Sequence, residues 1–184
     1  MRALETDIAP VWKPLASQGV YRNRGKPGKV AFLFPGQGSQ YRGIGSDLCA
    51  EFESARRVYE QASDVLGYDM ARLSSEDPDE QINLTRYTQP VLLTHHIACL
   101  TVYRELAENP LQPAAAAGHS LGEYSALNAA GAISAEDTIR LVYKRGELMH
   151  RESTKYKGAM HAIVGLPIAE VDGLVAEVQQ QSVV

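Results

Sequence analysis

The sequence predicts a protein of the α/β class, and this prediction rests on two apolar runs with helical segments between them. The first run, KVAFLF, lies between Gly28 and Pro35 and is continuously apolar after Lys29, as in a fully buried parallel strand. The second run, AAAA, lies between Pro113 and Gly118 and leads directly into a turn. Because strands alternate with helices, a parallel sheet is favoured.

Five helices are predicted from the spacing of apolar residues and from capping signals. Their predicted ranges are 48–67, 88–108, 121–130, 135–151 and a last segment that begins at Pro167. The helix over 88–108 is apolar around nearly its whole circumference and should be buried, with Pro90 near its first turn. Ser134 and Asp137 have the spacing of a capping box. A further strand is predicted at 158–166, where the sequence GAMHAIVGL alternates.

The domain organisation is predicted from length and from breaker-rich stretches. Residues 1–28 contain many glycines and prolines and predict a leader or linker. Residues 29–157 predict one large domain, which suits a chain of 184 residues. Residues 158–184 predict the start of a second, smaller unit, because one strand and one helix cannot bury two faces by themselves. We expect the remainder of that unit to be missing from this chain.

Composition narrows the classes of partner. The formal net charge of −4 gives no reason to expect nucleic acid or an anionic membrane surface as a partner. No apolar run approaches the roughly 18 residues needed to span a bilayer. Cys49 and Cys99 are far apart, which predicts neither a disulfide framework nor a metal site and favours a reducing cytoplasm.

The strongest chemical signal is GHSLG, which places Ser120 between two glycines after a predicted strand and before a predicted helix. Flanking glycines allow the tight, strained corner that holds a serine Oγ clear of the backbone. The helix adds the positive end of its dipole, and the amide of Leu121 points to where an oxyanion would form. The spacing therefore predicts a nucleophilic serine.

A second glycine-rich loop, FPGQGSQ, follows the first predicted strand. It has neither the lysine of a phosphate-binding GxxxxGK[ST] loop nor a GxGxxG pattern, so nucleotide binding is disfavoured. Glycines on both sides of Gln37 would let its amide approach a ligand closely, which predicts a second donor to the same oxyanion.

Five motifs in order give the sequence a family resemblance. FPGQGSQ, YTQPVLLT, GHSLGEYSAL, YKRGELM and GAMHAIVGL resemble the malonyl-CoA:acyl carrier protein acyltransferases of fatty acid and polyketide synthesis. The resemblance covers residues 29 to about 178. It implies an α/β hydrolase-like acyltransferase core and the start of a ferredoxin-like small subdomain. Its implied substrates are malonyl-CoA and the phosphopantetheine thiol of an acyl carrier protein, with no cofactor and no metal.

The resemblance also assigns roles to five positions of this sequence. Ser120 would carry the acyl group as an ester, and the amides of Gln37 and Leu121 would form the oxyanion hole. Arg145 would hold the malonyl carboxylate through a bidentate charge-assisted pair, and Gln89 would line the same pocket.

A serine nucleophile needs a base, and the five histidines do not supply an obvious one. His119 precedes Ser120 on the turn and should point away from it, while His95 and His96 lie within the predicted buried helix. His150 lies late in a predicted helix and His161 on the predicted strand GAMHAIVGL, and neither sits in a motif that resembles the one around the family's catalytic histidine. The family's catalytic histidine lies beyond the small subdomain, so we expect its region to be missing and this chain to be the N-terminal part of an acyltransferase.

Three alternatives remain open from the sequence. The chain fits an acyltransferase domain of a polyketide synthase with another acyl-CoA specificity, either alone or in a multienzyme. A hydrolase could use the same serine turn, but water as acceptor needs no carboxylate-binding Arg145. A non-catalytic interaction module would present an apolar face to a partner chain.

Overall fold

The computed structural model describes residues 29–107, 110, 112–156, 158 and 163–181. These residues divide into two compact units, one ending at Glu152 and the other beginning at Ser153. The described elements alternate between strands and helices, which confirms the α/β class. In chain order they are β1 (Ala31–Phe34), α1 (Ser46–Glu51), α2 (Glu53–Leu66), α3 (Met70–Ser75), α4 (Thr85–Leu106), β2 (Ala115–Gly118), α5 (Gly122–Ala129), α6 (Ala135–Lys155) and α7 (Ile168–Gln181).

The two described strands pair in parallel, as predicted. Their register runs from Ala31 opposite Ala115 to Phe34 opposite Gly118. A backbone hydrogen bond of 3.0 Å from His119 N to the Phe34 carbonyl continues the pairing past the end of β2. The carboxyl ends of both strands therefore meet where the serine turn begins.

Strand β1 is less buried than its sequence predicts. Phe32 and Phe34 face α4, where Phe32 contacts Tyr103 and Phe34 contacts His96 at ring-centroid distances of 5.9 and 5.6 Å. Leu33 is 76% exposed on the opposite face. The prediction of a strand buried on both faces is thus wrong for this chain, because the described helices that contact the sheet cover only one face.

Helix α4 forms the centre of the core. Twelve of its 22 residues are buried, as its apolar circumference predicts. Around it pack side chains that are fully or almost fully buried, from α2, α3 and α6, including Tyr59, Met70, Ile139 and Val142. Helix α4 begins at Thr85, three residues before its predicted start, so Pro90 lies in its second turn.

Two other helices differ from their predicted bounds. The predicted helix over 48–67 is divided at Phe52, whose φ of −118° and ψ of 121° are extended, and it forms α1 and α2. Helix α6 continues four residues past its predicted end, to Lys155. The helix predicted from Pro167 is confirmed as α7, while the strand predicted at 158–166 and the leader at 1–28 lie mostly or wholly outside the described residues. No described helix is long and apolar enough to cross a lipid bilayer.

Of the predicted capping box at the start of α6, the structure shows the Ser134 cap. Ser134 Oγ accepts a hydrogen bond from the Asp137 amide at 3.1 Å and donates one to the Asp137 carboxylate at 2.7 Å. It thereby satisfies an amide that has no partner within the helix.

We predict that Ser134→Ala lowers the free energy of unfolding by about 1 kcal/mol, because the Asp137 amide loses its acceptor. Urea unfolding followed by circular dichroism measures the change. Ser134→Thr is the matched control, since threonine keeps the hydroxyl. Equal stability of the alanine and threonine variants would show that the cap contributes nothing.

Candidate active site

Ser120 lies at the turn between β2 and α5, in a backbone conformation that few serines adopt. Its φ is +54°, in the left-handed region. Such a conformation costs a non-glycine residue about 1–3 kcal/mol and persists only where the surrounding structure enforces it. The strained turn predicted from GHSLG is therefore present.

The glycines on either side of Ser120 allow this turn because no side chain would fit at their positions. A Cβ at Gly118 would lie 1.9 Å from the carbonyl carbon of Gly122. A Cβ at Gly122 would lie 2.1 Å from the carbonyl oxygen of Phe34. The start of α5 thus packs directly on the ends of both strands, and this contact fixes where Ser120 Oγ lies.

Arg145 joins two of the predicted site residues. Its Nη2 donates a hydrogen bond to Ser120 Oγ at 2.9 Å, and its Nη1 donates one to Gln89 Oε1 at 2.7 Å. Gln89 is fully buried and its amide nitrogen contacts Met149 Sδ at 3.2 Å. A cation that donates to a hydroxyl oxygen favours its ionised form, so this contact suits a serine nucleophile.

Gln37 and Leu121 both lie on backbone segments next to Ser120. Leu121 is completely buried and immediately precedes α5. The loop that holds Gln37 is brought to the turn by Gly36, where a Cβ would lie 2.5 Å from the His119 carbonyl oxygen. The exposed Gln37 side chain donates a hydrogen bond to Thr85 Oγ1 at 3.2 Å. Both amides thus belong to backbone segments that border Ser120.

In the described part of the chain, no hydrogen bond joins Ser120 to His95, His96 or His119. His119 is exposed and packs beside Gly36. His95 Nε2 contacts Cys99 Sγ at 3.4 Å. His150 lies half-buried on α6, and His161 is outside the described residues.

His96 holds α5, the helix that follows Ser120, through a buried hydrogen bond. Its Nδ1 shares a hydrogen bond of 2.8 Å with Ser125 Oγ, which joins α4 to α5 one turn after the nucleophile. Burial, with a smaller effect of His95, lowers the pKa of His96 to about 4. The imidazole is therefore neutral at pH 7, and α5 rests on an uncharged hydrogen bond.

Sequence analysis missed two contacts of the site. The Arg145 guanidinium lies 5.6 Å from the centroid of the Tyr124 ring, a cation–π contact. Met149 contacts Gln89. Each follows a predicted site residue by four positions, Tyr124 after Ser120 and Met149 after Arg145. Arg145 and Met149 both lie on α6, so helical spacing of four could have found Met149. Ser120 precedes α5 and has a left-handed φ, so its spacing to Tyr124 gives no such signal.

Comparison with known proteins shows the family. A family model described as the acyl transferase domain matches residues 31–182, and the chain belongs to this family. The malonyl CoA-acyl carrier protein transacylase of Haemophilus influenzae is 46% identical over 138 residues, which cover 75% of this chain and 44% of that protein. The polyketide biosynthesis protein ThaF of Burkholderia thailandensis is 48% identical over 146 residues, which cover 79% of this chain and 12% of that protein.

A solved structure agrees with this assignment. It contains a type II polyketide synthase acyl carrier protein in complex with its malonyl-transacylase and matches this chain with a TM-score of 0.63 and 45% identity. The match covers 67% of this chain and 40% of that one. The chain thus spans less than half the length of these relatives. The resemblance stated from the five motifs is confirmed.

We predict that Gly122→Ala disrupts the serine turn and lowers the free energy of unfolding by about 3 kcal/mol or more. The added methyl group meets the Phe34 carbonyl oxygen at 2.1 Å, and two backbones must separate to admit it. Thermal unfolding measures the loss. Gly173→Ala is the control, because no atom lies within 4 Å of that Cβ position. Equal melting temperatures of both variants would contradict the proposed contact.

We also predict that stability falls as the pH falls through the range between the two pKa values of His96, from about 6.5 unfolded to about 4 folded. The unfolded chain binds the proton first, so acid favours it, and the histidine removes about 2 kcal/mol between pH 7 and pH 5. Urea unfolding at both pH values tests this. His96→Gln should lose less stability than the wild type over the same interval, and equal losses would contradict the prediction.

Proposed function

We propose that this chain carries the nucleophile and the acyl-binding residues of an enzyme that transfers malonyl groups from malonyl-CoA to an acyl carrier protein. One observation carries the proposal: Arg145 lies in hydrogen-bond contact with both Ser120 and the buried Gln89. A guanidinium beside a nucleophilic serine gives the site a place for an acyl group that ends in a carboxylate. The malonyl group is such an acyl group.

In the first half-reaction, Ser120 Oγ attacks the thioester carbonyl and its proton passes to a base. The carbon–sulfur bond breaks, coenzyme A leaves as its thiol, and the malonyl group remains on Oγ as an ester. In the second half-reaction, the phosphopantetheine thiol of the carrier attacks this ester and restores the serine. We propose that the base is a histidine contributed by the region that follows this chain in the complete enzyme.

The amides of Gln37 and Leu121 would stabilise the oxyanion of each tetrahedral intermediate. Leu121 supports this role because its amide lies at the N-terminus of α5, where the helix dipole is positive. Gln37 supports it through the packing of Gly36 on the His119 backbone, which holds the loop against the turn.

Arg145 would exchange its present partners for the malonyl carboxylate. Planar Nη1 and Nη2 match the two oxygens of a carboxylate, and Tyr124 supports the guanidinium from one side. A hydrolase with water as acceptor would gain nothing from this arrangement. The left-handed backbone of Ser120 counts against a purely structural module, because this strain lowers stability and a module without catalysis would gain nothing from it.

The proposal also includes the second partner, the pathway, the subdomains and the location of the enzyme. The solved transacylase in complex with its acyl carrier protein supports a carrier protein as the second partner here. The names of the relatives support fatty acid or polyketide synthesis as the pathway. We further propose a hydrolase-like core over 29–157, the start of a ferredoxin-like subdomain over 158–184, no cofactor or metal, and a cytoplasmic location.

We predict that Arg145→Ala reduces the rate of Ser120 malonylation by about 10- to 100-fold, since a charge-assisted pair contributes about 1.5–3 kcal/mol. Intact-mass spectrometry after incubation with malonyl-CoA measures the adduct, with Ser120→Ala as the blank. Acetylation by acetyl-CoA should change much less, because acetyl has no carboxylate.

Arg140→Ala is the matched control on the same helix, because Arg140 is exposed and pairs with Glu136. Failure of both acyl donors to modify the wild-type serine would mean that this chain needs the expected C-terminal region for the acylation step. Equal loss of malonyl and acetyl transfer in Arg145→Ala would contradict the role of Arg145 as the carboxylate ligand.

A further inference from the structure

The glycine-rich loop that follows β1 has few side chains to hold it in place. Four of the ten residues from 36 to 45 are glycines. Gly36 is buried at the start of the loop, and near its end the Gly43 amide donates a hydrogen bond of 2.8 Å to the Ser74 carbonyl oxygen. Gln37, whose amide we propose as an oxyanion donor, lies between these points and is exposed. Other contacts must therefore set the position of that amide.

Two glutamine side chains tie the loop to the segment that leads into α4. Gln37 Nε2 donates a hydrogen bond to Thr85 Oγ1 at 3.2 Å. Gln40 Nε2 donates one to Asn83 Oδ1 at 2.9 Å, and Gln40 Oε1 accepts one from the Gly38 backbone amide at 2.8 Å. Thr85 thus holds the Gln37 side chain directly. Asn83 orients Gln40, which in turn holds the peptide that follows Gln37.

The segment that carries Asn83 and Thr85 is itself held by buried hydrogen bonds. Asp77 Oδ1 accepts from the amides of Gln81 and Ile82 at 2.7 and 3.0 Å. The fully buried Thr88 donates its hydroxyl to the Ile82 carbonyl oxygen at 2.6 Å. A side chain positions another group only when its own backbone is fixed, and these bonds on both sides of residue 83 meet that condition.

The same segment borders the helix that carries the acyl-binding arginine. The Thr85 carbonyl oxygen lies 3.1 Å from the position that a Cβ of Gly146 would take. Gly146 directly follows Arg145 on α6, and Gln89 follows Thr85 by one turn of α4. Thr85 therefore contacts the Gln37 loop through its side chain and α6 through its backbone.

We propose that Thr85 and Asn83 are positioning residues for the acyl transfer. They hold the amide of Gln37 where it donates to the oxyanion of the tetrahedral intermediate. The proposal rests on the proposed function, which assigns this role to Gln37. A preorganised donor stabilises the charge that develops in the transition state, and a donor that must first be ordered stabilises it less. Both residues act through the glutamine side chains of the loop and not on the acyl group itself.

Nuclear magnetic resonance of the ¹⁵N-labelled 184-residue chain tests the position of the loop, and it requires no acylation. The variants are Thr85→Val, which removes the acceptor hydroxyl and keeps a branched side chain, and Asn83→Ala. Thr85→Ser and Asn83→Asp keep an acceptor oxygen and should rescue the loop. Thr101→Val is the matched control, because Thr101 lies on the same helix and donates its hydroxyl to the Ile97 carbonyl oxygen within that helix.

We expect Asn83→Ala to accelerate hydrogen exchange of the Gly38 amide by about fivefold, because Gln40 loses the partner that orients it. Thr85→Val should lower the heteronuclear NOE of the Gln37 amide, because its side chain loses its acceptor. Thr85→Ser, Asn83→Asp and Thr101→Val should match the wild type. Melting temperatures should change little in all of these variants, since both loop contacts are exposed.

Acylation of Ser120, measured by intact-mass spectrometry, links the loop to the reaction. Loss of order at an oxyanion donor should lower the maximal acylation rate about fivefold and leave the half-saturating donor concentration unchanged, since the oxyanion forms only after binding. Malonyl-CoA and acetyl-CoA should be affected equally, because both thioesters form the same oxyanion. Arg145→Ala, by contrast, should affect malonyl transfer more than acetyl transfer.

Three results would overturn the proposal. The first is a loop whose exchange rates and NOE values stay as in the wild type in both Thr85→Val and Asn83→Ala. The second is an equal loss of order in Thr85→Ser and Asn83→Asp, which would show that the hydrogen bonds are not its cause. The third is a disordered loop with unchanged acylation by both donors.

The proposed function fails by a different result, namely equal malonyl and acetyl transfer in the wild type and in Arg145→Ala. That result, together with variants that slow both donors, would keep the positioning role and remove the malonyl assignment. For a wild-type chain that neither donor acylates, the resonance measurements alone decide whether Thr85 and Asn83 hold the loop.

Discussion

The start of helix α5 touches the backbone of strand β1, and the geometry of the whole site depends on this contact. Gly122 and Gly118 allow it, because a methyl group at either position would overlap a neighbouring backbone. The approach leaves so little room that the chain must turn through Ser120 with a φ of +54°. Ser120 Oγ is thus held by the packing of two strands and a helix, and strain at one residue is offset by the burial of its neighbours.

The turn at Ser120 has a neutral histidine on one side and a cation on the other. Beneath α5, His96 is buried and neutral, and its bond to Ser125 ties the helix to α4 without placing a charge in the core. On the other side, Arg145 is half-buried and shared between Ser120 and Gln89. A cation beside Ser120 and a neutral histidine on the other side of α5 suit the proposed function, in which the site binds a carboxylate and develops an oxyanion.

The sheet itself is open on one side. Leu33 is 76% exposed, although Phe32 and Phe34 on the same strand pack against α4. A continuous apolar run is the pattern of a strand covered on both faces, and the described helices that touch β1 cover one.

Local signals in the sequence determined the elements and the turn at Ser120. The strand at β2, the glycines around Ser120 and the capping box at Ser134 each depend on residues within a few positions, so they could be predicted. The bounds of a predicted helix differ from those in the structure where packing competes with helix propensity. Phe52, for example, divides one predicted helix into two. The resemblance named Arg145 and Gln89, but their contact joins residues 56 positions apart. Only the tertiary structure decided that contact and the open face at Leu33, because each depends on which helices pack together and how closely.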